Sequence, residues 1–200
     1  LFSRTFQVAS GVELIPRDMI LSPYAASGND ELIIVGKAND FSGNPSSPNI
    51  QGFFMRIKQS DITNIVCRLY GQQTSNACSD WFSAVTVAAS TVNGDGFVVA
   101  GHSDSISTSP IWVEKLDRTG LPIWSNLYNT QYDNTNATVD PVDVIERYSS
   151  HYSRYEYYAA TTCTAGMRVI KLDDNGAIYT STNTIDNFSE FLYKPNSVAS

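Results

Sequence analysis

Histidine, the side chain that most often serves as a general acid or base, is scarce in this chain. Only two of its 200 residues are histidines, His102 and His151. Neither belongs to a recognisable Ser-His-Asp or Cys-His signature of nucleophilic catalysis. His102 directly follows a short apolar run, where a surface position at the edge of a loop is the simpler interpretation. The sequence therefore assigns no catalytic residue.

Aromatic side chains could instead form a binding surface. They make up 12% of the residues, and Tyr and Trp bring both contact area and a polar group to an interface. The candidate ligand-binding residues are Trp81, His102, Trp112, Tyr148 and Tyr152. Other tyrosines of the same region, namely Tyr155, Tyr157 and Tyr158, are interpreted as packing within and between sheets.

Metal binding has only a weak basis in the sequence. Three pairs in loops are rich in oxygen ligands of the kind that Ca²⁺ prefers: Asn93 with Asp95, Asp140 with Asp143, and Asp173 with Asp174. None matches a known calcium loop, and His and Cys are too few for zinc. We therefore expect no cofactor, with one Ca²⁺ site as the alternative.

The three cysteines leave two alternatives open. Cys67 ends a predicted strand and Cys78 lies in the following loop, so a disulfide between them would staple that loop. The alternative is a pair of unpaired thiols. Cys163 is left over and is interpreted as a small apolar filler.

The elements that would position these side chains come from an internal repeat. Its second copy spans 94–101, 111–117 and 123–128, and the first copy spans 29–36, 53–58 and 65–70. The third copy spans 156–160, 168–173 and 177–179, and an apolar segment precedes each copy. A period of about sixty residues with four short apolar runs predicts one four-stranded antiparallel propeller blade per copy.

The alignment of the copies makes more detailed predictions. Leu32–Gly36, Phe97–Gly101 and Tyr157–Thr161 are expected to be equivalent second strands. In the segments before them, Met19 and Ile20 align with Val87 and Ala88 and with Val144 and Ile145. After the third strand of two copies, Asp117–Gly120 and Asp173–Gly176 have the Asp and Gly of a tight hairpin turn.

One basic residue recurs at the same place in the third strand of each copy. These residues are Arg56, Lys115 and Lys171. The expectation is a solvated position at the strand end, with the side-chain stem covering apolar surface. A repeated binding element is the alternative.

The predicted domain organisation is a single all-β propeller domain or fragment over 1–200. It consists of a blade end at 1–8, blades at 11–71, 80–129 and 139–183, and a blade start at 190–200. Because propellers close their ring, we expect the chain to continue into further blades or to associate with other chains.

The motifs of the second copy resemble a known type of protein. Gly-Phe-Val-Val-Ala-Gly at 96–101, followed by Trp-Val-Glu-Lys-Leu-Asp at 112–117 and Ile-Trp-Ser at 123–125, is similar to the repeats of large bacterial cell-surface and secreted β-propeller proteins, frequent in Bacteroidetes. The third copy departs from that pattern at Ala160 and Tyr179. The resemblance implies an extracellular or cell-surface location and a scaffold or adhesion role, and it carries no catalytic motif.

Composition excludes some classes of partner. A net charge of −7 with no basic run argues against nucleic acid, and no apolar stretch approaches the length of a membrane-spanning helix. We expect a non-catalytic extracellular binding or scaffold module, involved in adhesion, that presents the loops 103–110 and 131–138 to a protein or glycan surface. The alternative is a carbohydrate-active enzyme, a glycoside hydrolase or lyase, on a propeller scaffold.

Overall fold

The structure is a computed structural model that describes residues 10–24, 30–41, 49–58, 61–71, 79–90, 94–103, 111–128, 140–163 and 166–178. Within these ranges the chain is all-β, without a helix, and it contains no helix that could cross a membrane. The eleven strands are β1 (Val12–Ser22), β2 (Glu31–Asp40), β3 (Asn49–Lys58), β4 (Asp61–Tyr70), β5 (Asp80–Ala88), β6 (Gly96–Ser103), β7 (Ile111–Asp117), β8 (Pro122–Tyr128), β9 (Asp140–Ser149), β10 (Arg154–Cys163) and β11 (Gly166–Leu172).

The strands form three antiparallel sheets in chain order. The first sheet is β1-β2-β3-β4, the second is β5-β6-β7-β8, and the third is β9-β10-β11. A single antiparallel bridge between Leu172 and Ile178 extends the third sheet, at the place where Leu116 pairs with Pro122 in the second. The predicted all-β class is confirmed, and the predicted blade end at 1–8 and blade start at 190–200 lie outside the described residues.

The three sheets share one register. A bulge interrupts the first strand of each, at Arg17, Ser83 and Val142. Counting from this bulge, Leu32–Gly36, Phe97–Gly101 and Tyr157–Thr161 occupy the same positions, as predicted.

The predicted alignment of the first strands was wrong for the second copy. Met19 pairs with Ile34 and Val144 pairs with Ala159, and the residue of the second sheet at this position is Val85, which pairs with Val99. The prediction was two residues off because Val85, Val87 and Ala88 are all apolar. An apolar match alone therefore does not fix the register there.

The sheets stack face to face in chain order. Between the first and second sheets lies one core cluster, built around Phe54, Phe82 and Phe97. Between the second and third lies another, which includes Val98, Ala100 and Tyr157. Strand β6 is covered on both faces and every one of its residues is buried, which explains its unbroken apolar run.

Hairpin turns tie each sheet to the one before it. In the β7–β8 turn the Asp117 carboxylate accepts hydrogen bonds from the backbone N–H groups of Thr119 and Leu121, and Gly120 has a φ of 80°. The Tyr70 hydroxyl of the first sheet donates to the Gly120 carbonyl. In the same way Tyr128 of the second sheet donates to the carbonyl of Gly176, whose φ is 75°. The predicted turn chemistry is confirmed, and it serves the stacking of sheets as well as the hairpins.

In two of the three sheets the recurring basic residue contacts the next sheet, contrary to the expectation of a solvated strand end. Arg56 Nη1 donates to the Arg118 carbonyl in the turn of the second sheet, at 3.1 Å. Lys115 is fully buried, and its Nζ lies 3.4 Å from Asp174 Oδ1 in the turn after β11. Lys171 pairs within its own sheet with Glu156, at 2.9 Å.

Candidate functional site: a cavity between the first and second sheets

A cavity of about 390 Å³ opens where the first and second sheets meet. Its buried floor comes from the four strands β4 to β7 and is formed by Tyr70, Asp80, Ser103, Trp112 and Glu114. The exposed rim is formed by Gly71, Pro122, Ser125 and Leu127. The cavity therefore joins a polar, aromatic floor to a rim that reaches solvent.

Glu114 breaks the repeat at this place. It pairs with Val99 in β6, and the residues at the same register position are Met55 in the first sheet and Ile170 in the third. Glu114 is only 3% exposed, and its Oε2 has no hydrogen-bond partner within the described part of the chain. A buried, unpaired carboxyl oxygen costs free energy that an apolar residue would avoid.

Burial governs the protonation of this carboxyl group. Desolvation raises the pKa of Glu114 to about 8, because the ionised form loses its hydration. Burial also raises the pKa of the Tyr70 hydroxyl, and the nearby Glu114 carboxylate adds to that effect. Both groups are therefore mainly protonated in the cavity at neutral pH.

The rest of the floor is held in place by specific contacts. The Trp112 indole Nε1 donates to Ser125 Oγ at 2.8 Å, and its ring packs against Phe82 with centroids 4.6 Å apart. Tyr70 is fixed by its bond to Gly120 and by its ring contact with Phe82 at 5.2 Å. The aromatic walls are thus preorganised, while Glu114 Oε2 has no hydrogen-bond partner among the described residues.

A second buried polar cluster lies between the second and third sheets. Around Asp174, Lys115 Nζ lies at 3.4 Å and the Tyr157 hydroxyl donates at 3.1 Å, and Ser90 Oγ also donates to this carboxylate. Glu146 accepts the backbone N–H of Ala89 at 2.8 Å. This cluster is saturated with internal partners, so its arrangement is structural.

Of the predicted binding residues, only Trp112 reaches the cavity. Trp81 and His102 are brought together elsewhere, as cross-strand neighbours whose rings stack at 4.3 Å with a 23° angle. His102 is 1% exposed, so the expectation of a surface histidine was wrong. The reason is that β6 continues through Ser103, which places His102 inside the sheet.

Tyr148 and Tyr152 form a separate exposed patch at the β9–β10 hairpin. Tyr148 is 53% exposed and makes an edge-to-face contact with Tyr155 at 5.1 Å. Tyr152 is 43% exposed, contacts the His151 ring at 4.5 Å, and has the Arg154 guanidinium 5.1 Å above it. Both remain accessible, as a binding role requires.

The structure places the candidate cysteines and metal ligands as follows. Cys67 is half-buried in the apolar cluster on the outer face of the first sheet and forms no disulfide within the described part of the chain, and Cys78 lies outside the described residues. The structure also does not describe the side chains of Asp140, Asn93 and Cys163. Most residues of the loops 103–110 and 131–138 likewise lie outside the described ranges. Among described residues, no group of three or more His, Cys, Asp or Glu could hold a metal ion.

Two of the aspartates considered as calcium ligands, Asp95 and Asp173, have partners within the chain. Asp95 forms an ion pair with Arg118, which holds the pKa of that carboxyl below its usual range. Asp173 caps its turn by accepting the N–H groups of Asn175 and Ala177, both at 2.9 Å.

Sequence reasoning missed Glu114, Asp80 and Tyr70. For Glu114 a signal was present in the repeat alignment, because it is acidic where the two other copies have Met55 and Ile170. For Asp80 and Tyr70 no such signal exists, since their proximity depends on how two sheets stack.

Comparisons with known proteins add no identification. No protein-family profile matches the chain, and no curated protein and no solved structure matches it significantly.

Proposed function

We propose that the three sheets are successive blades of a β-propeller and that this propeller is a non-catalytic, extracellular binding or scaffold module. The repeated turn contacts support the blade interpretation. Tyr70 to Gly120 and Tyr128 to Gly176 join successive sheets in the same way, as expected for blades arranged around one axis.

The outer face of the first sheet supports a larger ring. Met19 and Leu21 are 65% and 67% exposed on this face. Val85 and Val144, at the same register position as Met19, are buried against the preceding sheet. The chemistry of this face therefore fits a further sheet of the same repeat, contributed by more of the polypeptide or by another chain.

The cavity is the observation that carries the binding role. It combines a preorganised aromatic wall with the buried Glu114 Oε2, which has no hydrogen-bond partner among the described residues, and such an arrangement is found in sites that fix a ligand by a few polar contacts. The accessible Tyr148 and Tyr152 offer a second, shallower contact surface for a protein or glycan.

One observation favours the alternative of a carbohydrate-active enzyme. Two carboxylic side chains, Glu114 and Asp80, line the same cavity, and Glu114 has the raised pKa that a general acid needs. Glycoside hydrolysis uses such a pair, so this candidate has to be tested directly.

The test is to incubate the protein with a panel of glycans and to measure binding and product release in parallel. A binding module retains glycan without releasing product. Product release that is abolished by both Glu114→Gln and Asp80→Asn, and retained in the surface control Glu13→Gln, would establish the enzyme instead.

A further inference from the structure

The cavity between the first and second sheets has the chemistry of a cation site. Its floor contains two carboxylic side chains, Glu114 and Asp80, and two aromatic side chains, Tyr70 and Trp112. No Lys or Arg is among the described residues that line it. A low-polarity site lined by carboxyl groups and aromatic rings attracts positive charge through both ion pairing and cation–π contact.

The unpaired oxygen of Glu114 is the independent sign of a missing partner. The side chain is more than nine-tenths buried, faces the cavity and leaves Oε2 without a hydrogen bond among described residues. Ile170, which packs between the second and third sheets, shows that the stacking of sheets does not need a carboxyl group at this position. An ammonium group, which has three donors, would satisfy the oxygen.

The rim of the cavity indicates which chemical group should be attached to the bound cation. Pro122 and Leu127 give the entrance an apolar lining, and Ser125 Oγ accepts a hydrogen bond from Trp112. Methylene groups would pack against these residues while the charged end reaches the floor. A short unbranched alkyl chain fits this polarity gradient better than a sugar ring, whose hydroxyl groups need several polar partners along the wall.

We propose that this cavity binds an alkyl-ammonium group, such as the side chain of lysine on a protein ligand, with Glu114 as its ion-pair partner. This inference rests on the proposed binding function and names the ligand class of the same site.

Proton release provides a signature that a merely structural Glu114 would not give. Without a bound cation, the Glu114 carboxyl group is mainly protonated at pH 7. A bound ammonium group favours the ionised form of this carboxyl group. Binding should therefore release up to one proton to the buffer, and the affinity should rise from pH 6 to pH 8. The other titratable groups facing the site are Asp80 from β5 and Tyr70 from β4.

The experiment is isothermal titration with n-butylammonium chloride in two buffers of different ionisation enthalpy. We expect binding with proton release at pH 7, at least tenfold tighter than that of 1-butanol. Glu114→Gln should weaken butylammonium binding at least tenfold and abolish proton release, while Glu13→Gln should change neither.

Each contrary outcome is distinct. Equal binding of butanol and butylammonium, or unchanged binding in Glu114→Gln, would overturn the inference. Binding of glucosamine without butylammonium would overturn the alkyl class. Binding of neutral glycans alone would overturn the cation site while leaving the binding module intact, whereas glycan turnover would overturn the proposed function itself. The comparison of butanol with butylammonium uses only the unaltered protein, so it stands even if the variant does not fold.

Discussion

Glu114 carries a carboxyl group at a register position where the neighbouring sheets carry Met55 and Ile170. Its folded-state pKa of about 8 exceeds the usual glutamate value of 4.5, so between these values the folded protein binds more protons than the unfolded chain. The free energy of unfolding contributed by this group therefore falls as the pH rises through that window. The Glu114 carboxyl group therefore lowers the stability of the folded protein at neutral pH.

Replacing Glu114 by Gln should remove this pH dependence. We expect the variant to gain stability over the natural chain as the pH rises from about 5 to about 8, by at most about 1.4 kcal/mol per pH unit. Urea denaturation at several pH values measures the difference. The exposed control Glu13→Gln should show no such trend, and a constant difference for Glu114→Gln would contradict the buried, unpaired carboxyl.

Cys67 supplies a second prediction at this scale. Burial raises the pKa of its thiol to about 11, so little thiolate is present at pH 8. We expect native Cys67 to react with iodoacetamide much more slowly than after unfolding in urea, as measured by mass spectrometry of its peptide.

The same experiment tests the predicted bridge to Cys78. A free Cys67 becomes alkylated in urea without reductant. A Cys67 that stays unmodified in urea until reductant is added would instead support the disulfide, and fast alkylation of the native protein would contradict its burial.

At the scale of elements, the sheets are joined by contacts whose chemistry differs between the two interfaces. Between the first and second sheets, Tyr24 packs edge-on against Phe97 at 5.7 Å beneath the Arg118 guanidinium. Between the second and third, the equivalent positions hold the buried cluster of Ser90, Tyr157 and Asp174. The same three register positions thus hold aromatic packing at the first interface and, at the second, the carboxylate of the buried Lys115–Asp174 ion pair.

This difference predicts unequal effects of matched substitutions in β3 and β7. Lys115→Met leaves Asp174 buried without its cation and should lower the free energy of unfolding by about 3–5 kcal/mol. Arg56→Met removes an exposed contact to the Arg118 carbonyl and should cost about 0–1 kcal/mol.

Urea denaturation followed by tryptophan fluorescence compares the two variants. Similar losses would mean that the buried charge of Lys115 contributes no more than a surface contact. A loss confined to Arg56→Met would contradict the burial of the ion pair.

Strands and turns were predictable from the sequence where a few neighbouring residues specify them. The β-branched run Phe97–Gly101 and the Asp117–Gly120 turn specify a strand and a hairpin within a few residues. The burial of Lys115 was not predictable, because its partner Asp174 belongs to the next sheet and lies far along the chain. The cavity depends on the same kind of information, since Tyr70 and Glu114 meet only after two sheets have stacked.

At the scale of the whole molecule, the shared register shows that the outer face of the first sheet corresponds to a face that is covered in the second sheet. The positions of Leu32, Ile34 and Phe53 on the outer face of the first sheet correspond to Phe97, Val99 and Trp112, which pack on the preceding sheet. The outer face therefore has the composition of an interface between blades. Exposed apolar surface of this kind marks a contact site.

Met19 is the most direct probe of that contact. If a further sheet covers this face in the assembled protein, Met19 should be oxidised by hydrogen peroxide more slowly there than after unfolding. Met19→Lys should lower the free energy of unfolding of the assembled protein by about 2–4 kcal/mol, because it buries an unpaired charge. The exposed control Arg17→Ala, on the same strand, should stay within about 0.5 kcal/mol. Oxidation of Met19 at the unfolded rate, together with a neutral effect of Met19→Lys, would show that this face remains open to solvent and would contradict the propeller ring.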